Sequence, residues 1–248
     1  RSDTIIRIED AELSSPGTHL LVRSLPPEGT YIRRRGRDRR AGDIVLAAGV
    51  RFTPYAVGIA ASLGRTVVRM ARRPRVCVLV SGDEIVMPFE HPLPWQVRNT
   101  NTPILKALIR SAGGEPLDLG IIRDDPGSAE AALRRAAELG DIVVSSGGIS
   151  MGRKDPFAAA LDIIGAAVSV RGIAMKPGKP LTFGRIGKTP YFGLPGNQAS
   201  SAVTAELFLR PFLARMQGSA DPDHRRVLLP LTKDATNRTG RDDFQRGR

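Results

Sequence analysis

The sequence predicts an α/β protein. Its main domain has three layers, a parallel sheet covered on both faces by helices, and a smaller β-rich region precedes it. From residue 75 onward, short apolar runs typical of buried strands alternate with stretches of helical pattern. Residues 1–35 instead hold short β-prone runs separated by turn residues. A chain of 248 residues with 41% hydrophobic content is long enough for a sizeable core.

The N-terminal part, residues 1–35, is predicted to be β-rich. Strands are expected at residues 4–8 and 19–23, with a turn at residues 14–17 between them. Six arginines follow in the segment RRRGRDRR, residues 33–40. This segment can be a solvated face or a set of contacts for an oxyanion, because guanidinium groups match phosphate geometry.

Residues 36–74 are predicted to be a linking segment with one helix. Thr53 followed by Pro54 is a typical helix start, because Thr caps the first turn and Pro fits the first helical position. The helix is expected to end at Gly64, since glycine adopts the left-handed conformation that closes a helix.

Residues 75–217 are predicted to form the main domain. Its strands are expected at residues 76–80, 117–122, 142–144, 167–170, 181–183 and 191–194. Its helices are expected at residues 103–112, with Asn101 as the N-terminal cap, and at residues 128–139, 157–164 and 199–216. Ligands of such sheets bind at the carboxyl ends of the strands, near a reversal of strand order. The loops after the first three strands are therefore the expected place for a site.

The composition limits the possible partners and the compartment. The net charge of +12 raises nucleic acid as a partner, but aromatic residues make up only 5% of the chain, and no nucleic-acid fold signature is present. No apolar run approaches the ~18 residues of a membrane helix. We therefore predict neither a nucleic-acid nor a membrane partner. A single cysteine, Cys77, cannot form an internal disulfide, which favours a reducing cytoplasm.

The stretch DIVVSSGGISMGRKD, residues 141–155, joins a buried strand to a turn rich in serine and glycine. Serine hydroxyls and free backbone N–H groups near Gly147 and Gly148 suit an anionic group such as phosphate. Asp155 closes the stretch, and a carboxylate beside a phosphate site usually needs a cation, most often magnesium. The alternative is an ordinary strand-to-helix turn whose glycines only make the bend.

Acidic residues also follow the first two strands of the main domain. Glu84 and Asp124 are candidate metal ligands together with Asp155, because carboxylate oxygens are the ligands that magnesium prefers. Each of these side chains could equally be solvated in a loop. Three of them at the ends of strands in one sheet favour a site.

Two further loops carry groups suited to an anion. The prolines of MKPGKP, residues 175–180, stiffen a loop that holds Lys176 and Lys179. Asn197 and Ser200 lie where a strand enters the last helix, and backbone N–H groups point outward there. The alternatives are a solvated lysine pair and simple N-capping by Asn197.

Seven short motifs occur in order along the chain. They are SGDEI (81–85), NTN (99–101), GIIRDD (120–125), SSGGISMGRKD (145–155), MKPGKP (175–180), GLPGNQAS (193–200) and GRDDFQRG (240–247). This series resembles the molybdopterin molybdenumtransferases, the MoeA family that includes the E domain of gephyrin. The resemblance implies a molybdopterin-binding domain of MogA-like fold over residues 75–217.

The resemblance also implies an activity in molybdenum cofactor biosynthesis. Enzymes of this family take adenylylated molybdopterin and molybdate as substrates, insert the metal into the dithiolene and release AMP. Mg²⁺ assists cleavage of the diphosphate. By motif position, the implied catalytic residues are Asp124, Asp155, Lys176 and Lys179, and the implied metal ligands are Glu84, Asp124 and Asp155. The implied binding residues for molybdopterin and molybdate are Ser146, Gly147, Gly148, Ser150, Asn197, Ser200 and Arg246, with Arg241 as an alternative to Arg246.

The resemblance further implies a division of the chain. Residues 1–35 would belong to the family's domain II, residues 36–74 would be part of its domain I, and residues 218–248 would return toward the first domain. Relative to the family, the chain is expected to lack the N-terminal segment of domain I and the C-terminal domain. A homodimer is expected, with other molybdenum cofactor biosynthesis proteins as further candidate partners.

Two other functions stay open. A MogA-like molybdopterin adenylyltransferase shares the SGG and GDE motifs, although GRDDFQRG and the β-rich N-terminal region argue against it. A non-catalytic molybdopterin-binding or scaffold module, as the E domain of gephyrin is for receptors, would bind partners without turnover.

Overall fold

The structure is a computed structural model that describes residues 3–14, 17–147, 155–223, 226–234, 236–237 and 240–245. The chain divides into two units. The first comprises Arg1–Ala47 and Thr53–Gly64, and the second comprises Ala48–Phe52 and Arg65–Arg248. The finer four-part division predicted from the sequence stays a prediction.

The first unit contains one small hairpin and one helix. Strands β1 (Ala11–Leu13) and β2 (Leu20–Val22) pair antiparallel, which confirms the second predicted strand. The first was predicted at residues 4–8 and is wrong, because the chain forms a single 3₁₀ turn at Ile8–Asp10 before β1 begins. The Arg7 side chain closes that turn through a 3.0 Å hydrogen bond from Nε to an Asp10 carboxylate oxygen.

The helix of the first unit, α1 (Pro54–Ser62), starts as predicted. Thr53 Oγ1 accepts a hydrogen bond from the backbone N–H of Ala56 at 3.3 Å, and Pro54 occupies the first turn. The helix ends at Ser62, Leu63 is its C-cap, and Gly64 follows with φ of +69°.

The second unit is organised around a six-stranded sheet. Its strands are β3 (Arg75–Ser81), β6 (Glu115–Ile122), β7 (Ile142–Ser146), β8 (Ala167–Arg171), β10 (Thr182–Ile186) and β11 (Thr189–Leu194). The spatial order is β6-β3-β7-β11-β10-β8, and the first four strands are parallel. The predicted parallel sheet is confirmed for these four, whereas β10 runs antiparallel to both of its neighbours.

Helices cover both faces of this sheet. They are α2 (Asn101–Ser111), α3 (Pro126–Leu139), α4 (Pro156–Ile163), α5 (Gln198–Thr204), a π-helical turn (Ala205–Leu209) and α6 (Arg210–Met216). Side chains alternate along β3, so Val76 and Val78 pack with α2 and the last helical segment, while Cys77 and Leu79 pack with α3 and α4. The predicted three-layer arrangement is therefore confirmed.

The last helix was predicted as continuous and is instead interrupted by the π-helical turn. Pro211 lies one residue into α6 and has no N–H to donate to the preceding turn.

Two pairs of very short strands were not predicted. β4 (Ile85–Val86) pairs with β5 (Val97–Arg98), and β9 (Met175–Lys176) pairs with β12 (Asp242–Asp243), both in parallel register. Strands of two residues are too short to show a hydrophobic period. None of the helices in the described residues combines the length and apolar character that a membrane-spanning segment requires.

Candidate functional site

A pocket of about 240 Å³ lies where β3, β6, β7 and β11 end. Its described lining residues are Val80, Ser81, Gly82, Glu84, Ile85, Val97, Arg98, Asn99, Thr100, Asn101, Asp124, Gly147 and Gly196. The chain passes from β3 to β6 on one side and then returns to β7 on the other, so strand order reverses at β3. This is the position at which open α/β sheets bind ligands.

Ser146 connects three segments beneath the pocket. Its side chain is fully buried, and its Oγ donates to the carbonyl of Pro195 at 3.0 Å and accepts from Nδ2 of Asn101 at 2.9 Å. Ser201 Oγ lies 3.3 Å away, at the start of the last helical segment. The hydroxyl of Ser146 is thus already engaged within the protein.

Gly147 brings two strand ends unusually close together. Its φ is +87°, and a Cβ at this position would lie 2.5 Å from the carbonyl oxygen of Ser81. A Cβ on Gly196 would lie 3.2 Å from the Gly147 Cα. Only a residue without a side chain fits between the end of β3 and the loop after β11, which leaves the backbone of this turn accessible from the pocket.

The start of α2 forms one wall of the pocket. The N-cap of α2 is Thr100, and the preceding Asn99 holds the first turn: its Oδ1 accepts from the Thr102 N–H at 3.1 Å and its Nδ2 donates to Thr102 Oγ1 at 2.9 Å. Asn101 was predicted to be the cap, and this is wrong. Its Nδ2 instead donates to Ser146 Oγ and to the carbonyl of Gly196, the latter at 2.7 Å. The wall is therefore fixed to β7 and to the loop before α5.

Two buried polar atoms of the pocket residues have no hydrogen-bond partner in the described residues. They are Ser81 Oγ and Asn101 Oδ1. The two hydrogens of Asn101 Nδ2 are used, which fixes the amide orientation and leaves the oxygen as an acceptor. Unsatisfied buried groups of this kind are rare in native proteins and mark places where water or a ligand completes the structure.

The pocket also has exposed carboxylates among its lining residues. Glu84 and Asp124 both line it, and both are exposed. Asp124 is held by a reciprocal pair of 3.3 Å hydrogen bonds, in which each of Asp83 and Asp124 accepts from the backbone N–H of the other. This pairing joins the loop after β3 to the loop after β6.

A second group of predicted residues lies on the loop after β9 and at the start of α5. Pairing of β9 with β12 places Lys176 opposite Asp243, and the Phe244 N–H donates to the Lys176 carbonyl at 2.7 Å. Gly178 packs against α5, since a Cβ there would lie 2.6 Å from Thr204 Cγ2. One turn earlier on α5, Ser200 donates its N–H to Oδ1 of Asn197 at 3.2 Å.

The observation that decides the family is a match between residues 77–215, more than half of the chain, and a family model described as a probable molybdopterin binding domain. This chain belongs to the molybdopterin-binding domain family. Residues 1–64 match a second model, described as the MoeA N-terminal region with domains I and II. The succession of the two matches confirms the predicted resemblance to MoeA.

Relatives of known name agree with this assignment. The chain is 36% identical over 249 aligned positions to a molybdopterin molybdenumtransferase of Haemophilus influenzae, covering 99% of this chain and 61% of that protein. It is 33% identical to one of a Nostoc species, covering 88% of this chain and 50% of the relative. The chain thus spans about half to three fifths of the length of these curated relatives.

A solved structure supports the fold of this family member. The crystal structure of a molybdopterin biosynthesis MoeA protein from Pyrococcus horikoshii superposes with a TM-score of 0.72 at 33% identity. The superposition covers 87% of this chain and 53% of that one.

The predicted residues of this molybdopterin-binding domain separate into three sets. Glu84, Asp124 and Gly147 line the pocket, and Ser146 lies directly beneath it. Lys176, Lys179, Asn197 and Ser200 belong to the second group of loops, where Asn197 caps α5 as the alternative interpretation expected. Gly148, Ser150 and Arg246 lie outside the described residues, and Arg241 precedes β12.

Asp155 caps α4 and does not line the pocket. Its Oδ1 accepts from the Ala158 N–H at 3.0 Å. Within the described ranges, no group of three or more His, Cys, Asp or Glu side chains is placed to hold a metal. The predicted trio of Glu84, Asp124 and Asp155 is therefore not assembled here, and only the first two share the pocket.

Sequence reasoning missed the residues of the α2 wall. Asn99 was noticed only as part of a motif, Asn101 was predicted only as a helix cap, and Arg98 was not predicted to have a role. Arg98 lies at the end of a loop rich in proline, where no periodic pattern marks it.

Proposed function

We propose that this chain carries the molybdopterin-binding part of a molybdopterin molybdenumtransferase. In this proposal, it binds adenylylated molybdopterin and molybdate, supports insertion of molybdenum into the dithiolene and releases AMP. The observation that carries the proposal is the polar pocket at the reversal of strand order, within the segment that matches the molybdopterin-binding family.

The pocket suits the phosphate-bearing end of such a substrate. Gly147 exposes the backbone of a turn that follows a strand, and backbone N–H groups in such turns bind phosphate. The buried hydroxyl of Ser146 holds the turn in place rather than offering itself to a ligand. We therefore assign to Ser146 a positioning role, and to Gly147 the contact with phosphate, with Gly148 and Ser150, which follow it in the sequence, as further proposed contacts.

The donor set of the pocket fits a magnesium ion. Mg²⁺ usually keeps several waters and is bound by one or two carboxylates together with substrate phosphates. Glu84 and Asp124 supply two exposed carboxylates at the pocket, and Asp124 is held by Asp83. These two residues would hold the ion, whereas Asp155 caps α4. When bound, the ion would offset negative charge that develops as the diphosphate is cleaved.

Molybdate would bind at the second group of loops. Lys176 and Lys179 supply ammonium groups on a loop whose Gly178 packs against α5, and Asn197 and Ser200 begin that helix. Fixed cations stabilise an oxyanion without reorganisation at the moment of reaction. The β9–β12 pairing brings the chain near Arg241 to the same loop, with Arg246 a few residues beyond.

We further propose that the enzyme acts as a cytoplasmic homodimer, working with other molybdenum cofactor biosynthesis proteins. Large apolar side chains stay exposed in the first unit, among them Ile8 at 86% and Leu25 at 82%. Exposed apolar surface of this kind favours association with another protein surface. Sedimentation equilibrium tests this, since a monomer at micromolar concentration would contradict it.

Calorimetric titration tests the proposed function. Molybdopterin and then molybdate are added to wild type with and without Mg²⁺, and to Lys179→Ala. We expect molybdopterin to bind, and molybdate affinity to fall in Lys179→Ala. A matched control is Lys188→Ala, in the turn between β10 and β11. Absence of binding of both ligands to wild type would contradict the proposal for this chain.

A further inference from the structure

The charges of the pocket are unbalanced for an anionic substrate. Among its described lining residues, Glu84 and Asp124 are acidic, and Arg98 is the only cation. Arg98 belongs to none of the phosphate, magnesium and molybdate contacts proposed above. A phosphate ester that enters the pocket meets two carboxylates, so a fixed positive charge is needed beside any bound magnesium.

The structure fixes the Arg98 side chain at both ends. Its backbone belongs to β5, where it pairs with Val86 of β4, and the next residue, Asn99, donates its N–H to the Val86 carbonyl at 2.8 Å. At the other end, Nε donates to the Pro88 carbonyl at 3.2 Å. The guanidinium plane is therefore oriented before any ligand arrives.

The terminal nitrogens of Arg98 are available to a ligand. No ion pair involves Arg98 in the part of the chain that the structure describes, although Glu84 and Asp124 line the same pocket. With Nε occupied, the two Nη groups present donors in the planar arrangement that matches two phosphate oxygens.

We propose that Arg98 is a substrate-binding residue that pairs with a phosphate oxygen of the pterin substrate in this pocket. The inference rests on the proposed function and adds a specificity determinant to it. Arg98 selects phosphorylated pterins over pterins without phosphate. Asn99 and Pro88 position it, and the carboxylates of Glu84 and Asp124 in the same pocket would carry the cation.

The test is a set of titrations on the full chain with Arg98→Ala, Arg98→Lys and the control Arg110→Ala. Arg110 is an exposed arginine in the last turn of α2 and does not line the pocket. The probes are molybdopterin and a pterin without a phosphate group. Thermal unfolding of each variant verifies that the fold is intact.

We expect Arg98→Ala to weaken molybdopterin binding about tenfold or more, as for loss of a charge-assisted pair. Arg98→Lys keeps the charge but not the planar pair of donors, so its affinity for molybdopterin should lie between those of wild type and Arg98→Ala. Arg110→Ala should bind molybdopterin as wild type does. Binding of the pterin without phosphate should not change. If wild type binds molybdopterin and Arg98→Ala binds it equally well, the inference is wrong and the proposed function stands. If Arg98→Ala weakens both probes equally, Arg98 does not read phosphate. If wild type binds no molybdopterin, both this inference and the proposed function are wrong.

Discussion

Replacement of Gly147 by alanine should destabilise the protein far more than an ordinary Gly→Ala change. The residue follows β7 with φ of +87°, a conformation that L-amino acids adopt only with strain. The added Cβ would also lie 2.5 Å from the Ser81 carbonyl oxygen, which belongs to the backbone of β3 and cannot rotate away. Two separate penalties therefore act at the same position.

Their sizes follow from the geometry. A left-handed conformation costs a non-glycine residue about 1–2 kcal/mol. Over-packing that forces a backbone shift costs a further ~1–3 kcal/mol. We therefore expect Gly147→Ala to lower the free energy of unfolding by about 2–5 kcal/mol, a large fraction of the ~5–15 kcal/mol typical of a domain. Ligand binding should fall as well, because the turn cannot keep its place in the pocket.

Gly120→Ala is the matched control. Gly120 in β6 has the same φ of +87°, but a Cβ there would meet no atom within 4 Å. It should therefore show only the conformational penalty, about 1–2 kcal/mol. Urea denaturation followed by circular dichroism measures both variants. Equal losses for Gly147→Ala and Gly120→Ala would refute the argument that the close approach to Ser81 requires glycine.

Three further predictions concern buried or paired groups of the second unit. Ser146→Ala should lower the free energy of unfolding, measured by urea denaturation, by about 1–3 kcal/mol, because Asn101 Nδ2 and the Pro195 carbonyl each lose a buried hydrogen-bond partner. The control Ser111→Ala, on the exposed side of α2, should change the free energy of unfolding little. Hydrogen bonds from the Arg72 guanidinium, at 2.5 and 2.6 Å, hold the pKa of Asp141 below its usual value. The ionised Asp141 carboxylate therefore stabilises the folded protein fully above the unfolded pKa of about 3.9, and this stabilisation is lost as the pH falls through the folded pKa. The difference in free energy of unfolding between wild type and Asp141→Asn should accordingly stay constant from pH 5 to 7 and close on acidification. A gap that widens in acid would contradict this. Burial raises the pKa of the Cys77 thiol, so the native protein should not react with a thiol reagent at pH 8 and should react once per chain in denaturant.

The larger elements could be predicted because their patterns are local. The apolar run of β3 and the helical spacing of Leu133 and Ala136 in α3 identify the elements without knowledge of their neighbours. Alternation of strand and helix then implies parallel strands with carboxyl ends at one edge. That reasoning placed Glu84, Asp124 and Gly147 at the edge where the pocket lies.

The pairs that build the pocket could not be predicted because their partners are distant in sequence. Asn101 reads as a helix cap, since Asn is a common cap and a helix follows. Its side chain instead bonds to Ser146, 45 residues away, and to Gly196, 95 residues away. Likewise, β9 pairs with β12, which follows α6 in the chain. Such pairings depend on the assembled tertiary structure and not on the local sequence.

Ser146 and Gly147 show that residues of types suited to phosphate binding can be needed for the stability of the fold. Ser146 has the hydroxyl that a phosphate site needs, yet that hydroxyl is buried and shared among Asn101, Pro195 and Ser201. The Ser81 carbonyl leaves no room for a Cβ at position 147, so glycine is needed there even in the absence of a ligand. The charged groups that line the pocket in the described residues and remain exposed to a ligand are the side chains of Glu84, Arg98 and Asp124. Substitutions of Ser146 and Gly147 should therefore lower stability and binding together, whereas substitutions of exposed pocket side chains should lower binding alone, which separates the two roles experimentally.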